Sequence, residues 1–188
     1  RTINTFSEAL PGADIVVVLP AEHIPLWKNL SARFDVAPHR MVAGGNERFY
    51  SVLNGINALG EDVEYIAVHD GVRAIVSKKL IIRAMFAAEE HKAVIPVVDV
   101  VDSYRRVEGD DSYIVPRSEL RIVQTPQVFE ASLLRKAYDR PFSSIFTDDA
   151  SVVEDYGTKI ALVDGERTNI KLTTPDDMSW AEWFLSRE

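Results

Sequence analysis

Four short apolar runs, separated by amphipathic stretches, constrain this chain more than any other feature. Asp14-Ile-Val-Val-Val-Leu19 is a continuous, mostly β-branched run, too short for a lone helix, and Pro20 ends it. His39-Arg-Met-Val42, Tyr65-Ile-Ala-Val68 and Ala93-Val-Ile-Pro-Val-Val98 follow. Between them apolar residues recur at helical spacing: Ile24, Trp27, Leu30 and Phe34, then Phe49, Val52, Leu53 and Ile56. Ser77 is a helix cap ahead of Leu80, Ile81, Ala84, Met85 and Ala88. Strands covered by helices on both faces lose the alternation of inward and outward residues. Uninterrupted runs alternating with helices therefore predict an α/β fold with a mostly parallel sheet. At 188 residues, the chain fits a single domain, 1–188, with a full core.

After residue 99 the rhythm changes. Asp102–Val107 and Ser112–Arg117 are expected as two short strands around the polar turn Glu108-Gly-Asp-Asp111, with no helix between them. This predicts an inserted β-hairpin arm at about residues 101–121. A lone hairpin is marginal in water, so Tyr104, Val107, Tyr113, Ile114 and Val115 call for something to lie against, such as a second subunit. Ile122–Phe129 returns to the body, helices are expected at 130–139 and 148–156, and Lys159–Val163 and Asn169–Leu172 are expected as strands. Pro175 opens a last helix. Residues 1–10 carry Ile3, Phe6 and Leu10 at helical spacing without an initiator Met, so the sequence is expected to enter part-way through a longer protein.

The net charge of −8, with no basic block, argues against a nucleic-acid surface, which needs clustered Lys and Arg. Any polyanion site has to be a local basic pocket in an acidic body. The absence of cysteine removes disulfides, thiolate metal sites and Cys nucleophiles, and fits a cytoplasmic protein. No apolar run approaches membrane-spanning length.

Several residues stand where chemistry is expected. Ligands of open α/β sheets bind beyond the carboxyl ends of strands, and the third run ends at His69-Asp70-Gly71 with Arg73 two residues on. A carboxylate beside a guanidinium there either forms a surface ion pair or holds a cation and an anion together, as phosphate chemistry requires. His69 fits a structural role better than that of a base. Gly44-Gly45 is either a tight turn or a place where backbone N–H groups approach a ligand. Ser51 reaches a nucleotide or bonds back to the backbone. Lys171 either snorkels from a strand end or points into a pocket. Arg117 is an exposed arginine or an arm contact, and Asp148 and Asp149 are expected to cap a helix first and to bind ligands second.

Taken in order, Gly44-Gly-Asn-Glu-Arg-Phe-Tyr-Ser51, Val68-His-Asp-Gly-Val-Arg73, Asp102-Ser103, Gln124-Thr-Pro-Gln127, Thr147-Asp-Asp-Ala-Ser151 and Asn169-Ile-Lys-Leu-Thr-Thr-Pro175 resemble the 2-C-methyl-D-erythritol 4-phosphate cytidylyltransferase family. The resemblance covers nearly the whole chain. It implies a Rossmann-like nucleotidyltransferase fold and an enzyme of non-mevalonate isoprenoid biosynthesis. That enzyme joins CTP to the sugar-alcohol phosphate 2-C-methyl-D-erythritol 4-phosphate and releases pyrophosphate. By the same resemblance Gly44, Gly45, Asn46 and Ser51 approach the nucleotide, and Asp70 serves Mg2+ and substrate. Arg73 binds the sugar phosphate, Ser103 and Thr147 contact substrate, and Lys171 holds it. Arg117 reaches the site of a neighbouring subunit, so the arm interlocks a homodimer and the catalytic set is Asp70, Lys171 and Arg117.

Departures from the family pattern are Ala74 where many members have Pro, Asn46 where Asp is common and Ser103 where Thr is usual. The family also opens with a strand and a glycine-rich loop that cradles the triphosphate, on the order of 30 residues. This sequence does not contain that opening. Two alternatives share the motifs: a ribitol 5-phosphate cytidylyltransferase, and a non-catalytic dimeric relative without the nucleotide loop.

Overall fold

The β-branched runs form strands and the amphipathic stretches form helices in the expected order. A computed structural model describes residues 1–187. It runs α1 (Thr2–Ala9), β1 (Val16–Leu19), a 3-10 turn at Ala21–His23, α2 (Ile24–Ser31), β2 (Arg40–Ala43), α3 (Arg48–Ala58), β3 (Tyr65–Val68), α4 (Lys78–His91) and β4 (Ala93–Asp99). Local chemistry sets the boundaries of α4. Ser77 Oγ accepts the Leu80 N–H at 3.0 Å at its start. Lys92, at φ 64°, takes the left-handed conformation that ends it.

The arm is present as β5 (Tyr104–Glu108) and β6 (Asp111–Val115), which pair only with each other, the chain turning through Gly109 at φ +60°. Val107 and Ile114 are 70% and 77% exposed, so the described chain leaves the arm's outer apolar side chains uncovered. The chain returns as β7 (Arg121–Val123) and β8 (Gln127–Glu130). Both run antiparallel along one edge of β4, through Asp99↔Arg121 and Val97↔Val123, then Val94↔Val128 and Ala93↔Phe129. They are two pieces of one reversed strand, interrupted at Gln124-Thr125-Pro126. The other edge of β4 takes β9 (Ala161–Asp164) in parallel, because Val94 and Val97 pair on both sides. β3 lies on the far side of β8, through Ile66↔Phe129. Thus β3, β4 and β9 share one direction, and the reversed strand between β3 and β4 is an element that apolar patterning did not reveal. β1 and β2 form a separate parallel pair. Packed on it is α3, which sends Phe49 and Ile56 into the main core with Ile66, Ile95, Phe129 and Leu134.

The remaining helices are α5 (Ala131–Tyr138), α6 (Asp149–Asp155) and α7 (Pro175–Leu185). Asn169–Leu172 forms no strand, contrary to expectation. Its backbone is bonded locally and to the loop after β3: Asn169 N–H to Glu166 C=O, Ile170 N–H to Thr168 C=O, and Leu172 N–H to Val72 C=O. The segment's backbone is bonded to that loop, not to a neighbouring strand.

Phe129 is fully buried where β3, β8 and β4 meet. Phe129→Ala should cost about 3–5 kcal/mol, against about 1 kcal/mol for loss of the cap in Ser77→Ala. Urea unfolding of both variants checks the order; equal costs would mean that the reversed strand is not central to the core.

Candidate active site

The chain leaves β3 at its carboxyl end and makes a tight loop, closed by Arg73 N–H donating to Asp70 C=O at 2.9 Å. Two side chains hold this loop, one half-buried and one buried. His69 Nε2 donates to Arg73 C=O at 3.1 Å, and its Nδ1 accepts from Thr125 Oγ1 at 3.0 Å. Thr125 Oγ1 in turn accepts the Asp70 N–H at 3.0 Å. Since a carbonyl can only accept, Nε2 carries a proton, and the lowered pKa leaves Nδ1 without one near neutral pH. Burial is the main cause that pushes the His69 pKa down from 6.5 to about 4. Thr125 reaches the loop because it stands at the break between β7 and β8, where an interrupted strand re-aims its side chains.

Arg73, the second clamp, is only 6% exposed. Its guanidinium donates to Asp70 Oδ2 through Nε at 3.3 Å, to Asn169 C=O at 2.6 Å and to Val123 C=O at 3.3 Å. Three of its five N–H donors are thereby engaged by the protein, so Arg73 organises the loop as well as facing the cavity. Asn169 Nδ2 donates to Thr125 C=O at 2.8 Å, which ties the N-I-K segment to the same break. That tie delivers Lys171, whose Nζ lies 3.1 Å from Asp70 Oδ2 and which is half exposed.

A cavity of about 270 Å³ opens here. Of the expected residues, Asp70, Arg73, Thr147 and Lys171 line it together. Arg48, Asp148 and Gln127 line it as well. Gly44, Gly45, Asn46 and Ser51 do not. Ser51 braces the glycine turn, its Oγ accepting the Gly45 N–H at 3.1 Å and donating to Glu47 C=O at 3.1 Å. A Cβ on Gly45 would fall 2.4 Å from Tyr50 Cβ, so the turn requires glycine sterically. Ser103 and Arg117 lie at the arm, away from this cavity, and Arg117 Nη1 donates to Val101 C=O at 2.9 Å.

Sequence reasoning missed Arg48 and misread Asp149. Asp148 is the N-cap of α6, its Oδ1 accepting the Ser151 N–H at 2.9 Å with Ser151 Oγ reciprocating. Asp149 is not a cap: it is fully buried and paired with Arg48 and Tyr138. Burial opposes the charge on Arg48, but the Asp149 hydrogen bonds and charge outweigh that and raise its pKa. Arg48 lies inside the glycine motif, and its fixed place between two glycines and a serine was the available signal.

Burial alone would push the Asp70 carboxyl up. The hydrogen bond and charge of Lys171, with Arg48 and Arg73 behind them, outweigh it and hold the pKa below the usual value. Asp70 is therefore ionised and ringed by three cations. Oδ2 takes Arg73 and Lys171, whereas Oδ1 faces Arg48 Nη2 at 3.7 Å, beyond hydrogen-bond reach. No cluster of three or more His, Cys, Asp or Glu occurs among the described residues, so they form no all-protein metal cage. A single carboxylate with an open oxygen suits Mg2+, which takes its other ligands from phosphates and water. A larger cavity, about 580 Å³, lies between α3 and α5. Its Arg135 is engaged by the carbonyls of Ile56, Leu59 and Gly60, and its Arg140 by Asp155. It has no ionised group ringed by counter-charges, and it is not the candidate site.

Comparison with known proteins agrees with the motif series. The family model described as 2-C-methyl-D-erythritol 4-phosphate cytidylyltransferase matches residues 1–187. The chain belongs to this family. A relative of that description from Bacteroides fragilis is 44% identical over 187 residues, covering 98% of this chain and 84% of its own. One from Bacteroides thetaiotaomicron is 46% identical over 179 residues, covering 95% and 81%. The crystal structure of 4-diphosphocytidyl-2C-methyl-D-erythritol synthase from Anaerococcus prevotii superimposes with a TM-score of 0.85 at 29% identity, over 98% of this chain and 84% of that one. The Thermus thermophilus cytidylyltransferase does so at 0.81 and 33%, over 100% and 87%. The α/β nucleotidyltransferase fold expected from the motifs is the fold observed. Among the described residues no helix is long and apolar enough to cross a membrane.

The neutral, half-buried His69 makes stability depend on pH in a definite direction. The unfolded chain takes up a proton near pH 6.5 and the folded chain only near 4, so this contribution is complete above pH 6.5 and is lost as the pH falls towards 4. The loss should be on the order of 3 kcal/mol. Urea unfolding between those limits should show a shallower pH slope for His69→Gln than for the unaltered protein; identical slopes would mean that His69 is not held neutral.

Proposed function

We propose that this chain transfers the cytidylyl group of CTP to 2-C-methyl-D-erythritol 4-phosphate, in non-mevalonate isoprenoid synthesis. The observation that carries the proposal is Asp70, ionised and ringed by Arg48, Arg73 and Lys171 at the carboxyl end of β3, in a chain that the family model matches over residues 1–187. An oxygen of the sugar phosphate attacks the α-phosphorus of CTP, a P–O bond forms, and the bond to the β-phosphate breaks as pyrophosphate leaves. Such a reaction asks a protein for positioning and charge neutralisation, not for a nucleophile. The residues present are of that kind.

Lys171, half exposed at the cavity, offers its ammonium to the attacking phosphate while bonded to Asp70. Arg73 lines the same cavity. Thr147, ahead of α6, supplies a hydroxyl at the cavity, its own N–H being taken by Ser151 Oγ at 3.1 Å. Asp70 would hold Mg2+ through Oδ1, and the ion would supply neutralisation of the phosphate charge. Gly44, Gly45, Asn46 and Ser51 form the nucleotide side in this reading, with Ser51 keeping the turn open.

Homodimerisation through the arm is part of the proposal. Its support is the exposed apolar content of β5 and β6, which a monomer leaves uncovered: Tyr104, Val107, Tyr113 and Ile114. Arg117 and Ser103, remote from the cavity of their own chain, would then serve the cavity of the other subunit. The cysteine-free composition supports a cytoplasmic location.

A panel of CTP with methylerythritol phosphate and ribitol 5-phosphate, followed by pyrophosphate release, tests the substrate; turnover with ribitol 5-phosphate alone would replace the reading. Asp70→Asn should lower kcat/KM by about 10²–10³-fold. Arg117→Ala should be impaired as well, yet mixed dimers of the two variants should recover part of the activity, since one site then has both residues. Mixtures as inactive as their parents would refute a shared site.

A further inference from the structure

Asp149 has no place in the chemistry just described and does not cap its helix, yet its carboxylate is fully buried. Oδ1 accepts from Arg48 Nη1 at 3.0 Å and from Tyr138 Oη at 2.6 Å, and Oδ2 accepts from Arg48 Nη2 at 2.7 Å. A forked pair of this kind fixes both the position and the tilt of a guanidinium. Tyr138, itself buried and stacked on Phe49 at 4.6 Å, fixes the carboxylate in turn.

The same Arg48 Nη2 lies 3.7 Å from Asp70 Oδ1. That is close enough for attraction and too far for a hydrogen bond. Arg48 therefore stands between two carboxylates and is bonded to the buried one. Asp70 Oδ2 already has Arg73 and Lys171, so Oδ1 is the oxygen left for a ligand. A guanidinium released from Asp149 has a desolvated carboxylate within reach and every electrostatic reason to close on it.

We propose that Asp149, held by Tyr138, is a positioning residue that keeps Arg48 off Oδ1 of Asp70 and so leaves that oxygen open to a cation carried by the phosphate substrate. Asp149 acts through Arg48, not on the reacting atoms. The part concerning the cation rests on the cytidylyltransferase reading. The restraint on Arg48 does not.

Two measurements separate these parts. In a crystal structure of unliganded Asp149→Asn, Arg48 should have moved into hydrogen-bond contact with Asp70 Oδ1; Arg48 unmoved, or turned to solvent, overturns the restraint. Tyr138→Phe should shift Arg48 in the same direction and serves if Asp149→Asn does not fold. Binding of Mn2+ in the presence of CTP, followed by electron paramagnetic resonance, should weaken about tenfold in Asp149→Asn. It should recover in the double variant with Arg48→Gln, which removes the intruding cation. A merely structural Asp149 predicts no recovery, and that result overturns the proposal. Failure of the unaltered protein to bind Mn2+ with CTP would overturn the functional reading and the cation role together, while the crystal structure still decides the restraint.

Discussion

The site depends on the cost of taking one carboxylate partly out of water. Asp70 is largely sheltered, and a sheltered carboxylate stays ionised only if positive groups make up for lost hydration. Here they come from three separate parts of the chain: Arg48 at the start of α3, Arg73 in the same loop, and Lys171 beyond β9. None of the three is tied to Asp70 alone. Arg48 leans on Asp149, Arg73 on two backbone carbonyls, and Lys171 on a segment anchored by Asn169. The convergence is thus maintained by bonds made elsewhere, with Arg73 and Lys171 on Oδ2 and Arg48 held short of Oδ1.

The break between β7 and β8 is the second requirement. An uninterrupted strand beside β4 would direct Gln124 and Thr125 into ladder positions. With the break, Gln124 bonds to the backbone of Glu166, and Thr125 bonds to His69 and Asp70. A local defect in the sheet therefore joins the loop after β3 to the segment after β9. The arrangement explains why a neutral histidine sits beside an ionised aspartate. The imidazole serves as a rigid hydrogen-bonding strut, and a charge on it would reverse the Thr125 link and place a second cation beside Arg73 in a poorly hydrated position.

Much of the architecture was legible in the sequence. The strands β1 to β4 and the helices between them follow from apolar periodicity, because each buries a continuous apolar surface. The reversed strand was not legible, since Ile122–Phe129 has the same apolar character whichever direction it runs. Asn169–Leu172 misled because a backbone bonded to a loop, as Leu172 N–H is to Val72 C=O, leaves no mark in the residue types. At the site, Asp70 stood out because it stands beside Arg73 at the carboxyl end of a strand, where open α/β sheets bind ligands. Asp149 did not, because an acidic residue in the first turn of a helix is ordinary, and only its contacts with Arg48 and Tyr138 distinguish it.

The arm leaves the sheet at Asp99 and re-enters at Arg121, and these two residues are a ladder pair joined also by an ion pair at 3.2 Å. The excursion between them is therefore a closed circuit anchored at one point. Its length and composition can drift without moving the register of β4 or the break at Gln124-Thr125-Pro126. The sheet is in this sense insulated from the arm: residues can be gained or lost in the turn Glu108-Gly-Asp-Asp111 while the pairing that leads Thr125 to the loop after β3 stays as it is.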